Sequence, residues 1–191
     1  MGWQNAARSI GHALEEFEPD LVLTCGFAGG LHPALQRGAI LFETEEMALQ
    51  SSCASCGGRP GRFLCHPRIV SAAEEKLALW ERFKCDAVEM ESGVIRRACT
   101  ERGIASATIR VILDPVDQNL PLDFETILDD QKRINGWKLA SALLRSPRRI
   151  SGLFTLRKES NRAAKELGGF LERLLAALPL RSDSGSANPA R

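Results

Sequence analysis

Residues 105–114 read ASATIRVILD, an apolar run of strand length that ends at the acid Asp114. The run follows a helical pattern from Ser92 to Arg102, and Gly103 is the residue type that commonly ends a helix. Before that helix lies another short strand pattern, DAVEME, at residues 86–91. A strand, a helix and a second strand in this order are typical of an α/β domain.

The same alternation extends through the rest of the chain. The sequence predicts helices over residues 5–17, 71–84, 134–145 and 153–178, strands over 21–25 and 39–49, a glycine-punctuated loop at 26–38 and an irregular loop at 50–62. Ser71 and Glu74 match a capping box at the start of the second helix. We therefore predict one α/β domain over residues 1–178, with a mixed, mostly parallel sheet flanked by helices, and a solvated tail at 179–191.

The composition excludes several classes of protein. With 25 basic and 24 acidic residues the net charge is +1, which gives no global electrostatic case for nucleic acid binding. No apolar run approaches the length that spans a bilayer, and the N-terminal sequence is too polar for a signal peptide. We predict a cytoplasmic protein.

The six cysteines predict reduced thiols rather than a disulfide framework, because the sequence shows no export signal. Cys53, Cys56, Cys65 and His66 leave a zinc site as an alternative. The second pair is adjacent in sequence, which is awkward for one tetrahedral ion, so we predict no metal.

Three elements place glycine or acidic residues where predicted strands end. They are the CGFAGGL segment at residues 25–31, the pair Glu89 and Glu91, and Asp114. Ligands of open parallel sheets bind beyond the carboxyl ends of the strands, so a ligand site would bring the three elements to one edge. Each element also has a structural interpretation: a tight turn, an edge strand with both glutamates in solvent, and a turn or helix cap. Arg110, inside the apolar run, needs a buried acidic partner, and we interpret it as structural.

Three segments resemble, in this order, those of the nucleoside phosphorylase and nucleosidase family. They are TCGFAGGLHPALQRGAIL at residues 24–41, DAVEMES at 86–92 and ATIRVILD at 107–114. The interval from Glu91 to Asp114 is also similar to the family's. The later segments NLPLD and LLRSPRRISGLFTLRKESNRAAKEL are similar to the branch associated with hopanoid synthesis.

The resemblance implies roles for two acids. Glu91, the second acid of Glu-Met-Glu, binds the ribose hydroxyls, and an ionised carboxylate suits this role because it accepts two hydrogen bonds from a vicinal diol. Asp114 protonates the purine as the glycosidic bond breaks, which requires an acid whose pKa is raised by burial.

The resemblance also implies the neighbours of these acids. Met90 packs on the sugar, and Glu89 orients the site. Ala28 and Gly29 lie beside the base or the anion. Phe27 stands where family members often have a small hydroxyl residue, and it predicts an apolar pocket for a 5′ substituent.

The implied function is cleavage of the N-glycosidic bond of a purine nucleoside or a 5′-modified adenosine, by phosphate or by water, with a role in hopanoid side-chain synthesis. No cofactor is implied, inorganic phosphate being the co-substrate alternative to water. The implied partners are a small-molecule nucleoside and further copies of the chain. MGWQNAAR at residues 1–8 is similar to the glycine turn that follows the family's first strand, so we expect an N-terminally truncated domain in which that strand is missing. The alternative function is therefore a truncated or degenerate homologue that binds a nucleoside without turnover.

Residues 145–173 carry eight basic and three acidic side chains on a predicted helix. We prefer an ordinary docking helix with a solvated basic face. The alternative is weak, salt-sensitive association with an anionic membrane surface.

Overall fold

The computed structural model describes residues 2–121 and 148–178. The helices in these ranges are α1 (Trp3–Glu16), α2 (Met47–Ser55), α3 (Ala73–Phe83), α4 (Ser92–Glu101) and α5 (Arg148–Ala177). The strands are β1 (Leu21–Gly30), β2 (Ile40–Thr44), β3 (Arg59–Pro60), β4 (Phe63–Cys65), β5 (Ala87–Glu89) and β6 (Ala105–Asp114). The predicted helix over 134–145 and the predicted tail at 179–191 lie outside the described residues, and the predicted domain boundaries stay a prediction.

These strands form one sheet in the order β3-β2-β6-β1-β5-β4. The pairs β1/β6, β2/β3 and β4/β5 are parallel, whereas β2/β6 and β1/β5 are antiparallel. The long central strands β1 and β6 are separated in sequence by the three helices α2, α3 and α4 and by the other four strands, as expected for a crossover fold. The prediction of an α/β domain with a mixed, mostly parallel sheet is confirmed.

Strand β1 is twice as long as predicted, because the first part of the expected glycine loop continues the strand. Its register with β6 runs from Leu21 opposite Ala105 to Gly29 opposite Asp114, with an irregularity after Ala28. Glycine is depleted in strands, so the sequence pattern pointed to a loop. The pairing with neighbours on both sides overrides that preference.

The segment predicted as an irregular loop at 50–62 contains most of α2, and the strand predicted over 39–49 ends at Thr44. Only Leu49 and Cys53 of α2 are buried, so the helix leaves no apolar stripe that a sequence pattern could reveal.

The predicted capping box at Ser71 is wrong. Helix α3 begins at Ala73, and the Ala73 N–H donates to Oδ1 of Asn119 over 2.7 Å. The Ser71 hydroxyl is buried without a hydrogen-bond partner in the described part of the chain. A residue distant in sequence therefore satisfies this helix end, which local spacing could not indicate.

The two faces of β6 build different parts of the molecule. Ile109 and Val111 pack in a cluster with Phe170 and other apolar residues of α5 and α2. Ile112 belongs to a second cluster with residues of β1 and β2. Because side chains alternate along a strand, Arg110 and Asp114 share the face of Ile112.

Helix α5 docks on the sheet, as preferred for this segment. Its residues Ala163, Leu167, Phe170 and Leu174 are buried at helical spacing, and the basic side chains between them are exposed. Association of this helix with an anionic membrane surface stays a prediction. Among the described helices, none combines the length and the apolar character needed to cross a membrane.

Candidate active site

A cavity of about 440 Å³ opens over the second half of β1. All seven residues singled out from the sequence line it: Phe27, Ala28, Gly29, Glu89, Met90, Glu91 and Asp114. Apolar side chains from other elements complete the wall: Ile69, Val70, Leu113, Leu120 and Leu156. The predicted residues therefore line one cavity. If each of them had only a structural role, they would not need to lie around the same cavity.

Gly29 brings the acidic elements together. It pairs with Val88 of β5 on one side and with Asp114 of β6 on the other. A methyl group built on Gly29 would lie 3.2 Å from Cγ1 of Val88 and 3.3 Å from Oδ2 of Asp114. Any larger residue at position 29 would therefore crowd the Asp114 carboxyl group and the Val88 side chain.

The expectation that three strand ends meet at one carboxyl edge is wrong for β5. This strand runs antiparallel to β1, so its end at Glu89 points back along β1 rather than beyond it. The acids still reach the cavity because the site lies over β1 and not outside the sheet.

Glu89 is buried, with 6% exposure, which overturns the edge-strand interpretation for this residue. Its carboxylate accepts hydrogen bonds from Arg110 Nη2 (2.8 Å), the Ser92 N–H (2.9 Å), the Ser92 hydroxyl (2.7 Å) and the Glu91 N–H (3.0 Å). Burial opposes ionisation, but the Arg110 charge and these hydrogen bonds together hold the pKa of Glu89 below its usual value. Arg110 thus has the buried acidic partner that we predicted for it.

Glu91 is half-buried at the start of α4, where the helix dipole favours a negative charge. Its Oε1 accepts a hydrogen bond from the Gly2 N–H over 3.2 Å. Met90, beside it, is close to the same turn, since a methyl group on Gly2 would lie 3.6 Å from its Cε. The start of α1 therefore forms one border of the site at Glu91.

Asp114 is 5% exposed at the end of β6 and forms an ion pair with Lys76 of α3. Burial raises the pKa of Asp114, and the nearby charges of Lys76 and Arg37 offset this only in part. Oδ2 of Asp114 contacts the ammonium group of Lys76, which also donates hydrogen bonds to the backbone carbonyl oxygens of Pro115 and Gln118.

Phe27 and Ala28 differ in their exposure to the cavity. Ala28 is buried in the core beneath it, whereas the Phe27 ring is 43% exposed at its border. An exposed aromatic ring beside an apolar wall is suited to contact with an apolar ligand group.

The cysteine cluster of the alternative zinc site is not brought together. Cys53 is fully buried in the cluster of Phe42 and Phe170, whereas Cys65 is exposed at the end of β4. In residues 2–121 and 148–178 no group of three or more histidine, cysteine or acidic residues is placed to hold a metal ion.

Comparison with known proteins relates the fold to named enzymes. The sequence profile of the phosphorylase superfamily matches residues 58–145. A 5′-methylthioadenosine/S-adenosylhomocysteine nucleosidase of Anoxybacillus flavithermus is 28% identical over 163 residues, which covers 67% of this chain and 70% of the relative.

Two solved structures share the fold at 16% identity. Futalosine hydrolase of Helicobacter pylori matches with a TM-score of 0.67, over 93% of this chain and 77% of that one. A 5′-methylthioadenosine/S-adenosylhomocysteine nucleosidase of Colwellia psychrerythraea, in complex with adenine, matches with a TM-score of 0.68 over 93% and 75%. In sequence profile, relatives and fold, the chain is similar to the nucleoside phosphorylase and nucleosidase family. The resemblance drawn from the three sequence segments is confirmed for the family, and the hopanoid branch stays a prediction.

Sequence reasoning missed two cations that the structure places around Asp114. Lys76 pairs with the carboxylate, and Arg37 donates through Nε to the Leu113 carbonyl over 2.9 Å. Lys76 had a signal in the sequence, because it lies one helical turn before Leu79 and Trp80 on the packed side of α3. A charge on the apolar stripe of a helix indicates a buried partner.

Replacing Gly29 with alanine is expected to lower turnover by about tenfold or more, because the new methyl group must displace the Asp114 carboxyl group or Val88. The measurement is kcat for release of the base from a nucleoside. Gly11, with nothing near its Cβ position, gives the matched control Gly11→Ala, which should keep full turnover. Equal turnover of both variants would show that room at Gly29 is not needed.

Proposed function

We propose that the protein hydrolyses the N-glycosidic bond of a purine nucleoside, with Glu91 binding the ribose and Asp114 protonating the base. The observation that carries the proposal is the pair of unlike carboxyl groups in one cavity. One is half-buried at a helix start, and the other is buried with a raised pKa. The nucleosidase relatives support the same chemistry.

Asp114 is suited to act as the general acid. A purine leaves poorly as an anion, so the barrier falls when a ring nitrogen takes up a proton as the C–N bond breaks. Because burial raises the pKa of Asp114, its carboxyl group is protonated at a higher pH than that of an ordinary aspartate. Asp114 lines the cavity, so a bound purine can come within reach of its carboxyl group.

Glu91 is suited to bind the ribose. Its ionised carboxylate accepts hydrogen bonds from two neighbouring hydroxyl groups, and its negative charge stabilises the positive charge that develops on the sugar. The hydrogen bonds of Glu89 to the Glu91 and Ser92 N–H groups hold this turn of the backbone in place. Glu89 therefore orients Glu91 and does not itself meet the sugar.

The charges around the cavity favour water over phosphate as the nucleophile. Within the described residues each cation of the wall has an acidic partner: Arg110 pairs with Glu89, and Arg68 with Glu75. Glu91 adds a negative charge. The described part of the wall therefore offers a phosphate dianion no unpaired positive charge, which is electrostatically unfavourable.

The test of this function is incubation of the purified protein with 5′-methylthioadenosine, with and without inorganic phosphate. We expect free adenine and a reducing sugar at the same rate in both samples. A sugar 1-phosphate and a requirement for phosphate would identify a phosphorylase instead. No adenine in either sample, with adenosine and adenosine derivatives also uncleaved, would refute the proposed function.

We further propose that the nucleoside carries an apolar 5′ substituent, as the hopanoid-branch resemblance implies. Phe27 at the border and the apolar wall of Val70, Leu120 and Leu156 support this preference. Competition binding should rank a long-chain 5′-alkyl adenosine above 5′-methylthioadenosine, and both above adenosine. The variant Phe27→Ser should reduce the differences, and equal affinity for the three compounds in the unaltered protein would contradict an apolar 5′ pocket.

A nucleoside-binding protein without turnover is the second candidate, and one observation favours it. Of the three acids that line the cavity in the described part of the chain, Glu89 is fully engaged and the other two have the roles given above. None is left to activate water. Calorimetric binding of a nucleoside without release of the base would favour this candidate over the enzyme.

A further inference from the structure

Lys76 of α3 is completely buried, with 0% exposure. Its ammonium group donates to the carbonyl oxygens of Pro115 (3.0 Å) and Gln118 (2.7 Å) and forms the ion pair with Asp114. An ammonium group has three donor hydrogens, so these three partners account for all of them. All three partners belong to the end of β6 and the segment that follows it.

We infer that Lys76 is a positioning residue for Asp114: it holds the carboxyl group of the acid toward the cavity without touching the ligand. The inference rests on the proposed function, because it assigns a task to the residue behind the proposed general acid.

When Asp114 is ionised, as it is after it has donated its proton, its carboxylate is the counter-ion of the buried Lys76 ammonium group. Two backbone carbonyls could be satisfied by a neutral donor, and a buried ammonium group is costly unless an anion accompanies it. The sequence places the lysine on the packed face of α3, beside Leu79 and Trp80, where an apolar residue would otherwise be expected. A lysine at this position of α3 is therefore explained by its ion pair with Asp114 at the end of β6.

The geometry also restricts where the Asp114 carboxyl group can lie. Lys76 contacts Oδ2 from α3, and Gly29 of β1 borders the same atom, since a methyl group on Gly29 would be 3.3 Å from it. A carboxyl group held between a helix and a strand in this way keeps one orientation, which proton transfer requires.

Other charged groups surround Asp114 at greater distance or through the backbone. Arg37 bonds to the Leu113 carbonyl, to Gln118 and to Glu159. Across the cavity lie Glu91 and the Glu89–Arg110 pair, with Arg68 further along the wall. Burial raises the pKa of Asp114, Lys76 is the strongest influence that lowers it, and Arg37 follows. Removal of Lys76 should therefore let burial raise this pKa further.

The first test compares pH profiles of kcat/KM for the unaltered protein, Lys76→Met and Arg37→Met. In Lys76→Met the alkaline limb, where the general acid loses its proton, should move to higher pH by about 1 to 3 units, and kcat should fall about tenfold. Arg37→Met loses bonds to the same segment but none to the carboxylate, so its limb should move less. A Lys76→Met variant with an unmoved limb and only a lower unfolding temperature would reduce Lys76 to a structural anchor.

The second test needs no turnover and covers a Lys76→Met variant that does not fold. Urea unfolding is compared for Asp114→Asn and for Asp114→Asn combined with Lys76→Met. The combined variant should unfold at higher urea, because it no longer buries an unpaired ammonium group. A midpoint at or below that of Asp114→Asn would overturn the inference. If the unaltered protein cleaved no nucleoside, the proposed function would be refuted. The urea comparison would still decide whether Lys76 pairs with Asp114, because it does not depend on turnover.

Discussion

Replacing Asp114 with asparagine is expected to lower turnover of a purine nucleoside at least about a hundredfold, the range for a lost general acid. The amide keeps the shape of the side chain and its place beside Gly29, but it has no acidic proton to transfer. The measurement is kcat for base release across the pH range in which the unaltered protein is active. Because the acid is gone, the alkaline limb assigned to Asp114 should disappear from the residual activity.

A loss of stability must be separated from this loss of chemistry. Asparagine leaves Lys76 buried beside neutral partners, so Asp114→Asn should also unfold at lower urea concentration. The additional change Lys76→Met should restore part of the stability without restoring turnover. Near-normal turnover of Asp114→Asn would remove Asp114 from the role of the acid.

Replacing Glu91 with glutamine is expected to have the second large effect, a loss of at least about a hundredfold in kcat/KM. Glutamine can still accept the hydrogen bond from the Gly2 N–H, so the start of α1 should stay in place. It loses the negative charge that binds two hydroxyl groups and stabilises the developing positive charge of the sugar. Steady-state kinetics and nucleoside binding together measure the effect.

Glu43 provides the matched control for Glu91. It is a partly exposed glutamate that pairs with Arg96 over 2.8 Å and does not line the cavity. Glu43→Gln should keep kcat/KM within about twofold, since exposed ion pairs contribute little. If Glu91→Gln behaved like Glu43→Gln in both affinity and turnover, the ribose-binding role would be refuted.

The elements that the sequence predicted well are those whose signals are local. Helix α4 has its stop at Gly103, and β6 is an uninterrupted apolar run, so both were recognised within a residue or two. The second half of β1 and helix α2 were missed. The glycines of β1 are held in the strand by pairing with β5 and β6, and α2 is held by two buried residues only.

The site shows the same division between local and distant signals. The acids Glu91 and Asp114 stand in recognisable segments, and the structure places both at the cavity. Sequence spacing could not reveal the partners of Lys76 and Ala73. Lys76 bonds to the segment that follows β6, and Ala73 bonds to Asn119, about forty residues away along the chain in both cases. The antiparallel direction of β5 is likewise a property of the whole sheet.

The pKa values of the two buried carboxyl groups of the cavity are shifted in opposite directions, so the two groups respond differently to acid. The pKa of Asp114 lies above its ordinary value and that of Glu89 below. Asp114 therefore takes up a proton at higher pH than an ordinary aspartate, whereas Glu89 keeps its charge and its bonds to Arg110 and Ser92 to lower pH than an ordinary glutamate. The stability that Glu89 contributes is present above its unfolded pKa and is lost only when the pH falls through its lowered folded pKa. The same burial that favours a protonated Asp114 is thus overcome at Glu89 by Arg110 and the surrounding hydrogen bonds, which protect the turn that carries Glu91 against acid.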